Sequence, residues 1–98
     1  MPRIVRRPKA SADLSEIWEF IAEDSEDRAD AFIDRIDAKF RALSDQPMMG
    51  RKRKELGASV RSIPRPPYTI YYQLLPDGIE ILPVFHGARD AQAQLEDS

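Results

Sequence analysis

The stretch Tyr68-Thr69-Ile70-Tyr71-Tyr72-Gln73-Leu74-Leu75, Pro76-Asp77-Gly78, Ile79-Glu80-Ile81-Leu82-Pro83-Val84-Phe85-His86 decides the fold. Two runs rich in β-branched and aromatic residues flank a Pro-Asp-Gly signal, the pattern of two antiparallel strands joined by a reversal. In the first run Tyr68, Ile70, Tyr72 and Leu74 share one face, while Tyr71 and Leu75 lie on the other. By that parity at most one of Tyr71 and Tyr72 is simple core. In the second run Ile79, Ile81 and Phe85 oppose Leu82 and Val84, so that strand is apolar on both sides. Pro83 has no N–H to give to a ladder, which puts its strand at a sheet edge or bulges it there. Upstream, Val60-Arg61-Ser62-Ile63 supplies a third strand, joined through the proline-punctuated turn Pro64-Arg65-Pro66-Pro67.

Working outward, the period changes from two to 3.6. Leu14, Ile17, Trp18 and Ile21 recur at helical spacing, with Asp13, Glu16, Glu19 and Glu23 mainly off that stripe. Pro8 suits the first turn of this helix. Before it, Arg3-Ile4-Val5-Arg6-Arg7 reads as an opening strand. Ser25 caps a second helix, whose apolar positions Ala29, Phe32, Ile33, Ile36, Phe40 and Leu43 run until Asp45-Gln46-Pro47 stops it. The short break between the helices implies an antiparallel hairpin. From Pro47 to Gly57, including Arg51-Lys52-Arg53-Lys54, no apolar period is sustained, and the segment reads as loop. Past Gly87, Ala88 to Glu96 reads as a short last helix. The whole is one α+β domain over residues 1–98: an N-terminal strand, a helical hairpin on one face of an antiparallel sheet, in the order β-α-α-β-β-β, and a C-terminal helix. Two helices cannot easily cover both sheet faces, so part of the apolar strand surface is expected to await another cover.

The chain has 98 residues, 42% hydrophobic and 33% charged, which fits one small folded domain and not a disordered chain. With no cysteine and one histidine, disulfides, thiolate chemistry and cysteine-held zinc are excluded. No run is long and apolar enough for a membrane span, and the N-terminus has no apolar signal core, so a cytoplasmic protein is expected. The formal charge of −2 hides segregation: +4 over residues 1–12, −8 over 13–37, +6 over 39–65 and −4 over 66–98. Such polarity gives either an acidic and a basic face or blocks that neutralise each other within the fold. There is no Gly-x-x-x-x-Gly-Lys loop and no Gly-x-Ser-x-Gly elbow. Asp30, Asp34 and Asp37 read as a solvated stripe, not a metal site, and neither metal nor cofactor is expected.

Taken in order, Ala12-Asp13-Leu14 with Ile17-Trp18 and Ile21, Ala31-Phe32-Ile33 with Ile36, and Leu43 with Pro47 and Gly50 form a recognisable series. Arg61 with Ile63, Tyr68-Thr69-Ile70-Tyr71-Tyr72, and Ile81-Leu82-Pro83-Val84-Phe85-His86 with Arg89-Asp90 continue it. The sequence resembles the RelE/ParE toxin superfamily, nearer the ParE-like branch, over nearly its whole length. The resemblance implies the toxin of a type II toxin–antitoxin system, acting on DNA gyrase by protein–protein contact and neutralised by a cognate, ParD-like antitoxin. It implies a hetero-oligomer with that antitoxin, and no membrane or sequence-specific DNA as a partner. RelE-type relatives instead cleave messenger RNA in the ribosome, and a degenerate member would only pair with its antitoxin as a co-repressor.

Cleavage by 2′-hydroxyl attack would call on Arg61 and His86 with the loop cations, since it needs proton transfer and cations for the developing phosphate charge. His86 is followed by Gly87 and by no aromatic residue, a departure from the nuclease pattern. Each candidate also has a plainer reading. Arg61 is either a structural ion pair or a phosphate or partner contact. Arg51, Lys52, Arg53 and Lys54 are a solvated loop or a docking patch. Trp18 is core on its stripe or an anchor at the helix edge. Tyr71, His86 and Arg89 complete the candidate partner contacts.

Overall fold

Pro8 opens α1 (Pro8–Ala22) as its first residue, and the Ser25 side chain accepts a hydrogen bond from the Arg28 N–H to open α2 (Glu26–Asp45). The computed structural model describes residues 2–66 and 68–83. Before α1 comes β1 (Arg3–Arg6); after α2 come β2 (Arg51–Lys52), β3 (Val60–Arg65), β4 (Tyr68–Leu75) and β5 (Gly78–Ile81). The five strands form one sheet in the order β1-β5-β4-β3-β2. The helical hairpin therefore carries the chain from one sheet edge to the other. β3, β4 and β5 form the antiparallel meander, while β1 adds parallel to β5, which makes the sheet mixed.

Register explains which residues meet the helices. Tyr72 pairs with Ile81 and Arg61, Leu74 with Ile79, Ile63 with Ile70, and Arg6 with Ile81, so these side chains share one face. On that face Ile70, Tyr72, Ile79 and Ile81 join Ala10, Leu14, Ile17, Ile36, Phe40 and Leu43 in the main core. The helix stripes and the strand parity read from the sequence thus meet in a single packed layer. Trp18, Phe32 and Ile33 lie along its margin, half-buried.

Four features differ from the sequence reading. Arg51 and Lys52 are a short strand and not loop, because their pairing with Ser62 and Arg61 extends the sheet by one edge. β3 runs on through Pro64 to Arg65, where the proline is tolerated because two-residue β2 leaves β3 as an edge there. The strand before Pro83 is no edge: β5 lies between β1 and β4, and its ladder stops with the Leu82 N–H donating to the Tyr71 carbonyl, one residue short of the proline. Finally, Tyr71 and Tyr72 are both 0% exposed. The expected uncovered apolar face is not found among the described residues. Val60, Tyr71 and Leu82 form a second, smaller cluster with Leu56 packed on it, and the Arg53 guanidinium lies over the Tyr71 ring at 5.4 Å. The expected C-terminal helix, with His86 and Arg89, lies outside the described residues.

Candidate partner-binding surface

α2 ends at Asp45, and the chain must turn to enter β2 at the far sheet edge. That turn is fixed from beneath by two side chains of the meander. The Tyr72 hydroxyl donates to the Pro47 carbonyl at 2.7 Å and accepts from the Gly50 N–H at 2.8 Å. Arg61 Nη1 donates to the carbonyls of Gly50 (2.7 Å) and Met48 (3.1 Å). Gly50 is required by the closeness of this packing, since a Cβ there would sit 2.4 Å from the Tyr72 hydroxyl. Burial raises the Tyr72 pKa above its ordinary value, against the opposing pull of the Gly50 N–H. The clamp leaves the side chains of Met48 and Met49 outside, 65% and 44% exposed.

The four consecutive cations divide by strand geometry. Arg51, Lys52 and Lys54 are exposed, whereas Arg53 turns onto the sheet's back face. There its guanidinium pairs with Glu55 and reaches the Ser62 hydroxyl at 3.3 Å. The hydrogen bond from Arg53 holds the Glu55 carboxyl below the usual carboxylate range, and the same bond raises Arg53. The exposed part of the run is therefore three cations, following two exposed methionines in the chain.

A second feature lies between the helices. Arg6, Ser11, Leu14, Ser15, Trp18 and Ile33 line an open groove of about 310 Å³. Trp18 is half-buried there, its Nε1–H donating to Asp30 at 2.8 Å, so the two readings of this residue meet in one place. Asp37, from the same acidic stripe, pairs with Arg6, whose guanidinium also stacks on Phe40 at 5.2 Å.

Of the sequence candidates, the structure brings Arg51, Lys52 and Arg61 beside the Pro47–Gly50 turn, puts Lys54 in the next turn beyond β2, and sets Trp18 apart in the helical groove. Tyr71 is wholly buried and is not a surface contact in this fold. The Tyr72 hydroxyl was missed, because strand parity marks a ring as core and is silent about where its oxygen reaches. Phe20 was missed as well. Its signal was present: it is an aromatic residue off the apolar stripe, on a face otherwise acidic.

Two helices on a mixed sheet, with exposed cations and methionines at one edge, define a small α+β protein. Its strand arginine, Arg61, donates to backbone carbonyls of the turn. The chain belongs to the ParE toxin family: the model described as "ParE toxin of type II toxin-antitoxin system, parDE" matches residues 4–91. It is 30% identical over 96 residues to Toxin ParE3 of Caulobacter vibrioides, a match covering 97% of this chain and 96% of that toxin. Its fold is shared with a solved structure described as the chromosomal ParDE TA system from P. aeruginosa. That likeness has a TM-score of 0.71 at 21% identity, over 90% of this chain and 98% of the other. The protein is thus a type II toxin of the ParE kind. Among the described residues no helix is long and apolar enough to cross a membrane.

Proposed function

We propose that this toxin acts on DNA gyrase by protein–protein contact and is silenced by a cognate antitoxin that covers its helical groove and the cationic edge at Arg51, Lys52 and Lys54. The family match supports the toxin role. The observation that carries contact over catalysis is Arg61: the arginine a nuclease would aim at phosphate donates instead to the carbonyls of Met48 and Gly50. A guanidinium so engaged is a building element of the turn, and freeing it would leave two carbonyls without their donor. The apolar half of the antitoxin surface is the Leu14, Trp18 and Ile33 groove, and the methionines at the cationic edge offer adaptable contact area.

The test is supercoiled plasmid incubated with gyrase, ATP and the purified toxin. Accumulation of cleaved gyrase–DNA complexes is expected, and its suppression by the small polypeptide encoded next to the toxin gene. Unchanged gyrase turnover at excess toxin would overturn the target. New transcript ends at the ribosomal A site in a translating extract would establish the RelE-type nuclease instead.

A further inference from the structure

Two surface features outside that groove and edge remain without partners among the described residues. On α1, Phe20 is 68% exposed, the most exposed large apolar residue described. Glu16, Glu23 and Asp24 stand about one turn to either side of it, and Glu19, its neighbour in sequence, projects roughly 100° further round the helix. All four are exposed and none has an ion pair among the described residues. This is an aromatic knob in a ring of carboxylates, which repels nucleic acid and suits a cationic polypeptide surface.

The second feature is its complement. Arg35, Ala38, Lys39 and Ala42 on α2 and Arg65 at the end of β3 line a depression of about 330 Å³. Arg35 and Lys39 have no ion pair among the described residues, and Arg65 lies over the Phe32 ring at 6.0 Å. The alanines give a low apolar floor and the cations a positive rim. The depression is open and shallow, so a phenyl ring can lie against the alanines between the cations. Guanidinium groups at the rim favour an aromatic face.

The two features lie on opposite flanks. The flank of α2 carrying Asp30 and Ile33 meets α1 at Trp18, while the flank carrying Phe32 and Arg35 faces β3 and β4. A knob on the α1 side and a socket on the β3 side are not placed to satisfy each other within one chain. They are placed to meet between copies.

We propose that Phe20 and its carboxylates on one copy seat in the Arg35, Lys39 and Arg65 depression of a second, so that the toxin associates head to tail. The contact is heterologous, joining two different patches, and extends with concentration into chains or a ring. It does not depend on what the toxin targets.

Sedimentation velocity of the isolated toxin over a range of concentrations and salt tests this. The average mass should climb above the monomer with concentration at low salt and return to it at high salt, as opposed surface charges are screened. Phe20→Ser removes the knob and R35E/K39E reverses the socket; both are exposed or rim positions, and circular dichroism checks that each variant is folded, with Lys39→Ala as a milder socket variant. Each variant alone should stay monomeric. Mixed, they should form a one-to-one pair and no longer species, because each contributes the feature the other lacks. A wild-type toxin monomeric at every concentration would overturn the proposal. So would association that persists in either variant, or a mixture that stays monomeric.

Discussion

Tyr72 shows how one side chain joins core and surface. Its ring is 0% exposed in the main core, and its hydroxyl holds both ends of the turn that presents Met48 and Met49. Tyr72→Phe keeps the ring but strands the Gly50 N–H and the Pro47 carbonyl, which should cost about 1–3 kcal/mol in urea unfolding. The pH dependence follows from the raised pKa. The native hydroxyl holds its proton above the pH at which an unfolded tyrosine, near 10, releases it, so stability is full below that point and falls as pH rises through it. The alkaline limb of a stability–pH curve should therefore flatten in Tyr72→Phe; an unchanged limb would assign it to other groups. Of this site the sequence disclosed the cations and the strand positions. The turn's clamp was hidden, because its four hydrogen bonds join residues 11 to 25 positions apart.

Helix and strand boundaries were legible where a local cause sets them. The Ser25 cap, the Pro8 start and the Pro47 stop each act within one turn of chain. Strand partners were less so. The parallel seat of β1 on β5 depends on Gly78, where a Cβ would come within 1.8 Å of the Arg3 carbonyl oxygen. Gly78→Ala should therefore push β1 off the sheet and uncover Ile4. The expected result is early amide exchange across Arg3 to Arg6 and a lower melting temperature, with the β3–β4 hairpin still protected. Protection of β1 equal to wild type would show that the sheet absorbs the methyl group. The two-residue β2 was read as loop because so short a strand has no period of its own; it exists through its partner β3.

Across the molecule, charge segregation resolves partly into internal neutralisation and partly into bare surface. Arg6 with Asp37 and Arg7 with Glu80 join the blocks and Arg53 pairs with Glu55 inside its own, while Arg51, Lys52 and Lys54 stay outside. Exposed pairs contribute about 0.2–1 kcal/mol each, so changing these three cations to glutamine should weaken antitoxin binding roughly 3- to 150-fold at low salt. The same change should flatten the salt dependence of the affinity measured by calorimetry. An unaltered affinity and salt slope would place the antitoxin elsewhere. By itself the sequence determined the order of the two helices and four longer strands and both helix stripes, because periodicity and capping are properties of neighbours along the chain. Only the tertiary structure decided that β1 lies parallel beside β5, that Tyr71 is covered, that Arg61 serves a turn, and that Phe20 stands out among acids. Those outcomes depend on which distant backbone and side-chain groups satisfy one another once the layers close, and no local pattern carries that information.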